Sequence, residues 1–286
     1  MIKKIVTHPG GAHKDDFLAV CVLIARSGAP VERRVPLEEE KTNPEVALVD
    51  IGGSHEPELS NFDHHHFPRE HAPTCALSLV LQHLGLYKDA LMFCDWLEPA
   101  EWFDSRGPNK TADWLGVSRD VVARLNSPID VTLLRRFARV SHLKTGETLY
   151  EVMRFVGEDL LEFVQSARRR LDRTASLVKI WDLDLNGEKM QVVFLPRGES
   201  VPEEPSASIA RYVRAHHLEK SVVALVYPDR RGEGYGITRF NDHPRLDFSK
   251  VGAEEDVHFA HTTGFMCKTT SLEPARLQAL IVGAWQ

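Results

Sequence analysis

Val46-Ala47-Leu48-Val49-Asp50-Ile51-Gly52-Gly53 is the stretch on which the fold turns. Apart from Asp50, residues 46–51 are apolar at consecutive positions, so a strand here buries both of its faces. That is the pattern of a parallel sheet covered by helices. Asp50 stands at the carboxyl end of the strand, and Gly52-Gly53 break it. In open α/β sheets, functional sites gather beyond the carboxyl ends of strands. Two other stretches share that address. Lys4-Ile5-Val6-Thr7 reads as a short β-branched strand, followed by His8 and stopped by Pro9-Gly10-Gly11. Further on, Phe62-Asp63-His64-His65-His66 sets one carboxylate and three imidazoles side by side.

Histidine is the commonest metal-binding side chain, and an adjacent carboxylate adds charge for a divalent cation. The chain offers His8, His13, Asp15, Asp50, Asp63, His64 and His65, then Glu101 and Asp104 near the end of an acidic helix. Hard carboxylates mixed with imidazoles suit manganese, with magnesium, cobalt, zinc or iron as alternatives. Each residue also has an ordinary explanation. His8 fits a solvated turn, Asp15 and Asp16 are good helix caps, Asp50 can open an Asx turn, and Glu98 and Glu101 fit the wet face of a helix. What favours a metal is that one end of one sheet would hold them together.

The rest of the chain supplies the frame. Residues 17–25 are apolar almost all round and predict a buried helix, capped by Asp15 or Asp16 and closed at Gly28. Helices are expected over 74–84 and 87–103, separated by Gly85, the second ending at Ser105-Arg106-Gly107-Pro108. Shorter helical pieces fill 109–146, and Arg135, Arg136 and Arg139 there could follow a nucleic-acid backbone. Apolar residues from Leu149 to Val178 recur at helical spacing, which predicts one long amphipathic helix from about 146 to 178, with Arg168-Arg169-Arg170 on its wet face. Beyond it the period changes. Strands at 189–195, 221–227 and 235–240, a helix at 208–216 and a last helix at 273–284 predict a smaller α+β domain.

Composition bounds the function classes. The 286 residues carry a formal net charge of −6, which argues against a dedicated duplex-DNA binder. Cys21, Cys75, Cys94 and Cys267 are scattered without a CxxC pair, no apolar run reaches membrane-spanning length, and the opening residues lack the apolar run of an export signal. A cytoplasmic protein with reduced thiols and no membrane partner is the expectation.

The segments Thr7-His8, Gly11-Ala12-His13-Lys14-Asp15-Asp16-Phe17-Leu18-Ala19, Val49-Asp50-Ile51-Gly52-Gly53 and Phe62-Asp63-His64-His65 together resemble the DHH phosphoesterase superfamily. More narrowly, the chain resembles its Myg-type exonuclease branch (the melanocyte proliferating gene proteins), and His261-Thr262-Thr263-Gly264-Phe265 is similar to that branch's HxxGF segment. The resemblance covers both ends of the chain; the middle matches only in helical character. It departs from the branch at His66, at Asp15-Asp16 where an HxDE-like segment stands, in the asparagine missing from the acidic motif, and after Phe265, where a glycine pair is missing.

The resemblance implies a DHH-type catalytic domain over 1–146 with a mainly parallel sheet flanked by helices, a connecting helix over 147–179 and a substrate-binding α+β domain over 180–286. It implies His8, His13 and Asp50 around one metal and Asp15, Asp50 and His64 around a second, with Asp50 bridging and Asp104 as the fourth acidic ligand. Glu101 is the runner-up for that last place and Asp95 the third choice. Asp63 would orient the histidine pair, and His65 would contact phosphate or act as an acid. Arg239, His261, Gly264 and Lys268 are the expected substrate-binding residues of the second domain. The function so implied is hydrolysis of single-stranded nucleic acid or short oligonucleotides from an end, with two Mn²⁺ activating a water. Two alternatives stand beside it: a phosphatase for a small compound such as pyrophosphate or a nucleotide, and a catalytically silent, metal-stabilised binding protein. Oligomeric state is left open.

Overall fold

The computed structural model describes residues 1–125, 127–198 and 204–286. Asn126, inside the stretch expected to hold short helices, lies outside the described residues. The chain forms two compact units, Met1–Ala167 and Arg168–Gln286.

The first unit runs β1 (Lys4–Thr7), α1 (Lys14–Ser27), β2 (Val31–Arg33), β3 (Val46–Val49), β4 (His55–Glu56), β5 (Asn61–Phe62), α2 (Ala76–His83), α3 (Tyr87–Phe93), α4 (Leu97–Leu115), α5 (Arg119–Arg124), α6 (Pro128–Ala138), β6 (His142–Leu143) and then α7 (Thr148–Leu177), within which the unit boundary falls. Its sheet has the order β4-β5-β3-β1-β2-β6. The four inner strands are parallel, and each edge strand pairs antiparallel to its neighbour. Alternation along the strands sorts the core. Ile5, Ala47 and Val49 face a large cluster with Phe17 and Val20 of α1, Leu77 of α2, Phe137 of α6 and Tyr150 and Met153 of α7. Val6, Val46 and Leu48 point to the other face, where they meet Ile51.

That second face also carries an ion network. Glu40 is buried, and both of its carboxylate oxygens accept from Arg34, at 2.7 and 2.8 Å, while Lys4 donates at 3.2 Å and the Leu37 N–H at 2.8 Å. The Arg34 guanidinium, opposed by burial, holds the Glu40 carboxyl down to about 2 from an ordinary 4.5. The folded carboxyl therefore binds fewer protons than the unfolded one across that range. Its stabilisation is complete above about pH 4.5 and is lost as pH falls toward 2. Because Arg34 and Lys4 are partly exposed, we take it as on the order of 2 kcal/mol. Glu40→Gln is expected to lower the Tm at pH 7, and the gap from wild type should close by pH 2–3 in a thermal-melt series.

The second unit contains β7 (Lys179–Leu185), β8 (Glu188–Phe194), α8 (Pro205–Ala215), β9 (Val222–Pro228), β10 (Tyr235–Arg239), β11 (Val257–Ala260), β12 (Met266–Thr269) and α9 (Pro274–Ala284). The strands form one sheet in the order β11-β12-β10-β9-β8-β7. Only β8 and β9 are parallel, joined by α8; the other pairs are antiparallel. On β8, Val192 and Phe194 face the cluster containing Leu277 and Ile281 of α9, while Val193 faces Ile209 and Val213 of α8. Strands β7, β11 and β12 go beyond the three that the pattern predicts. β7 follows directly on α7, so its Trp181-Leu183-Leu185 alternation merges into the helix's apolar spacing, and β11 and β12 are only four residues each.

Three local expectations are corrected. His13, rather than Asp15 or Asp16, is the N-cap of α1, and Asp16 reaches back to accept from the His13 N–H at 2.7 Å and the Phe17 N–H at 2.8 Å. The helix expected over 87–103 is two, because Cys94 leaves helical geometry. The stop expected at residues 105–108 is a kink: Gly107 takes φ 76° and ψ 169°, and the chain resumes as helix from Pro108.

Candidate metal centre

Asp50 is the first residue past β3 and adopts φ 56°, a left-handed conformation that aspartate tolerates better than most side chains. Its N–H donates to the Phe62 carbonyl, so the sheet ladder continues until the chain turns. That turn places the Asp50 carboxylate beside the residues that follow β1 and β5. Oδ2 lies 3.5 Å from His8 Nε2, and Oδ1 lies 3.1 Å from His64 Nε2 and 3.6 Å from His65 Nδ1. From the start of α1, Asp15 joins them; from α4, one turn before the kink, Asp104 does. Asp104 Oδ2 lies 2.7 Å from His64 Nε2, and its Oδ1 lies 3.7 Å from His13 Nδ1.

Three overlapping groups of ligand atoms result, each contained within 4.8 Å: His8, His13 and Asp50; Asp50, His64 and His65; and Asp15, Asp50, His64 and Asp104. Two ligands opposite each other at about 2.1–2.2 Å from a cation are roughly 4.2–4.4 Å apart, so this spread matches a coordination sphere to within a few tenths of an ångström. Asp50 belongs to all three.

The satisfaction of these atoms decides whether they suit a metal. His8 Nε2, Asp15 Oδ1, Asp16 Oδ2, Asp50 Oδ1, His64 Nε2 and Asp104 Oδ2 are buried with no hydrogen-bond partner outside the cluster, and the imidazoles and carboxylates among them face one another at 2.7–3.5 Å. A buried carboxylate oxygen left in that state is costly unless a cation takes it up. Charge points the same way. Burial, with Asp104, Asp50 and Asp16 close by, pushes the Asp15 carboxyl well above its ordinary value. Burial alone would lower His64, but Asp104 and Asp50 overrule it and raise the imidazole to about 10. The residues present therefore fit a divalent cation in both geometry and charge.

Asp63 lies in none of these groups; it organises the loop instead. Oδ2 accepts from the Gly53 N–H at 2.7 Å, and Oδ1 accepts from the His65 N–H at 3.0 Å and contacts His65 Nδ1 at 2.7 Å. His66 packs against Phe67 and belongs to none of the three groups. Glu101 is buried elsewhere: Ser78 and Tyr87 donate to its Oε1 at 2.6 and 2.7 Å, and burial raises its carboxyl. Asp95 is exposed and joins no metal-binding group among the described residues. Of the three acids considered for the fourth position, Asp104 is the one beside Asp15, Asp50 and His64.

Two residues of this region were not among the site residues expected from the sequence. Asp16 Oδ2 lies 3.2 Å from His8 Nε2. Arg33, at the end of β2, is buried; it donates to the carbonyls of Gly10, Gly11 and Phe137 and stacks 4.4 Å from the Phe137 ring. It thus pins the glycine loop between His8 and His13. Asp16 carries a signal in standing next to Asp15; Arg33 carries none, because β2 has only three residues, Val-Glu-Arg.

The expected substrate-binding residues Arg239, His261, Gly264 and Lys268 lie in the second unit. His261 and Gly264 form the turn between β11 and β12, with the Gly264 N–H donating to the His261 carbonyl at 2.8 Å. Gly264 has φ 69°, and a Cβ there would fall 2.0 Å from Asp247 Oδ1, so the fold itself requires glycine. His261 Nδ1 contacts Thr263 Oγ1 at 2.9 Å. Lys268 donates to both oxygens of Asp229, at 2.9 and 3.0 Å, and Arg239 donates to Asp242 and to the Leu246 carbonyl.

Among the described residues no helix is long and apolar enough to cross a membrane. No curated protein matches the chain. Among solved structures it is similar to one described as a member of the s1p family of ribosomal proteins, DHH domain, with a TM-score of 0.33 and 13% identity over 99% of this chain and 86% of that one. It is also similar to RecJ from Thermus thermophilus in complex with Mn²⁺, with a TM-score of 0.29 and 16% identity over 99% of this chain and 52% of that one. The chain thus spans about half the length of RecJ. Residues 4–85 match the MYG1_exonuc family model, described as Uncharacterised protein family (UPF0160), so a likeness to that family is shown for the stretch that carries His8, His13, Asp15, Asp50, Asp63, His64 and His65.

Proposed function

We propose that the protein is a metal-dependent phosphoesterase that cleaves phosphodiester bonds of single-stranded nucleic acid or short oligonucleotides from an end. The observation that carries this reading is the group of Asp15, Asp50, His64 and Asp104, whose buried ligand atoms converge within 4.8 Å of one another and find no partner outside the cluster. Divalent cations bound there, two Mn²⁺ by preference, supply Lewis acidity toward a phosphoryl oxygen and lower the pKa of a water. His8, His13 and Asp50 would hold one cation, and Asp15, Asp50, His64 and Asp104 the other. In hydrolysis the water oxygen bonds to phosphorus, the ester P–O bond breaks and the leaving alcohol takes up a proton. His65 is exposed and braced through Nδ1 by Asp63, and its Nε2 would donate to the leaving group or to a phosphoryl oxygen. Arg33 keeps the loop between His8 and His13 in register with Asp50.

Exposed aromatics on the segment that supplies Asp104 favour a nucleic-acid substrate over pyrophosphate. Phe103, next to Asp104, is exposed, and so is Trp96 at the start of α4; bases stack on such rings without regard to sequence. The second unit is assigned the further substrate contacts, through Arg239, His261, Gly264 and Lys268. A reducing cytoplasmic setting accords with four cysteines that are free and buried.

The test is hydrolysis of bis-p-nitrophenyl phosphate, a single-stranded RNA, a single-stranded DNA and pyrophosphate, with Mn²⁺ and with EDTA. Mn²⁺-stimulated cleavage of the diester and of at least one strand is expected. No stimulation on any of the four would refute the phosphoesterase reading, and activity confined to pyrophosphate would replace the substrate.

A further inference from the structure

A polar cavity of about 180 Å³ opens beside the metal centre within the first unit, on the side of His64 and Asp104. Its remaining wall contains His65, His71, Thr74 and Arg106. Thr74 is only 6% exposed, yet its hydroxyl oxygen is buried with no hydrogen-bond partner. Orphaned hydroxyls of this kind are uncommon, because an unmade hydrogen bond costs more than a made one returns. Arg106 stands at the kink of α4 and donates to the His71 carbonyl. Among the described residues no carboxylate pairs with its guanidinium, unlike Arg34, Arg239 or Arg276. The loop from His64 to Thr74 is tied back over the cavity by that Arg106 bond and by the stacking of His71 on Phe67 at 4.4 Å. Once His64 and Asp104 face a cation, the polar rest of the wall offers mainly donors, two imidazoles, the hydroxyls of Thr74 and Ser105 (the latter already donating to the Glu101 carbonyl) and a guanidinium, and a guanidinium suits a phosphate through paired N–H bonds.

From this we infer that the cavity is an anion subsite for a second phosphate of the substrate, next to the one being cut, with Arg106 as its main donor and Thr74 as its inner one. The inference rests on the phosphoesterase reading and adds to it a reason for the enzyme to prefer a substrate with a phosphate on both sides of a nucleotide. Because the same residues wall both the cavity and the centre, the subsite would also set how far the strand end enters.

The test uses a dinucleotide whose linkage is a methylphosphonate and so resists hydrolysis, prepared without a terminal phosphate, with a 5′-phosphate and with a 3′-phosphate. Binding to the full-length protein with Mn²⁺ is measured by calorimetry, and the readout is the ratio of Kd without and with the better terminal phosphate. A ratio of at least about 10 is expected for wild type, since a charge-assisted hydrogen bond supports a change of that size. Arg106→Ala should bring it to near 1, and Thr74→Val, which leaves the loop tie intact, should lower it roughly three-fold. A wild-type ratio near 1, a ratio that survives Arg106→Ala, or collapse in Arg106→Ala with no change in Thr74→Val would each overturn the subsite. Hydrolysis of bis-p-nitrophenyl phosphate, which has no second phosphate, judges the parent reading separately.

Discussion

Asp50→Asn is expected to reduce Mn²⁺-dependent hydrolysis by more than about 100-fold while leaving the protein folded. Loss of a residue that merely orients a metal ligand already costs about 10–100-fold, and Asp50 stands in all three groups that could hold a cation. Asparagine is the informative choice over alanine. It keeps the shape and tolerates the left-handed backbone at φ 56°, so the change is confined to charge. Metal binding gives a readout that does not depend on turnover. A cation at 100 times its Kd stabilises the folded chain by about 2.7 kcal/mol. For a unit of this size that corresponds to a rise in Tm of roughly 5–10 °C. Wild type should show such a rise with Mn²⁺, and both Asp50→Asn and His64→Ala should lose most of it. In EDTA, Asp50→Asn should melt no lower than wild type, because it removes one of several crowded carboxylates that have no cation between them. Full activity and a full Mn²⁺ shift in Asp50→Asn would remove the bridging role and with it the proposed centre.

The grouping around Asp50 was legible because each member has a fixed relation to an element boundary. His8 and Asp50 each directly follow a parallel strand, His64 stands two residues past another, and Asp15 lies in the first turn of α1. Strand ends of a parallel sheet lie along one edge, so residues distant in sequence come together without any information on side-chain packing. Asp104 could be singled out only as the fourth acidic ligand that the family resemblance implies, since no periodicity separates it from Glu101. What separates them is α4: Glu101, one turn earlier, turns to Ser78 of α2 and to Tyr87 of α3. Tertiary contacts of that kind leave no local trace. The same holds for Arg33, whose hydrogen bonds reach residues 22, 23 and 104 positions away. Edge strands of two to four residues escape for a different reason, since two residues are too few to show an alternation.

Gly157→Ala is expected to be the most damaging single methyl in the first unit. Gly157 lies in α7 where that helix crosses α1, and a Cβ there would sit 2.0 Å from the Cys21 carbonyl oxygen, 2.5 Å from its carbon and 3.0 Å from the Ala25 Cβ. Two effects compete. Alanine favours a helix over glycine by about 1 kcal/mol. Against that, the obstacle is backbone in the middle of a helix, so no side chain can rotate out of the way and the helices themselves must part. Overpacking of a core costs typically about 1–3 kcal/mol, and a collision with main chain belongs at the upper end. Sterics win, and a net loss of about 2 kcal/mol should lower the Tm by roughly 4–8 °C. Asp159→Ala, exposed on the same helix, is the control; it gains propensity without a collision and should not fall. The cost should reach the chemistry as well. α1 carries Asp15 at its start, and Asp15 Oδ2 accepts from the Ala76 N–H at 3.3 Å, close to the limit of that bond. Pushing α1 off α7 shifts Asp15 relative to Asp50, which is held by the sheet. Gly157→Ala should therefore lose Mn²⁺-dependent activity and also melt lower in EDTA, whereas Asp50→Asn loses activity and the Mn²⁺ shift but keeps its Tm in EDTA. A Gly157→Ala protein that melts like wild type would mean that α1 and α7 can separate at little cost, and that Asp15 is not held in place by this crossing.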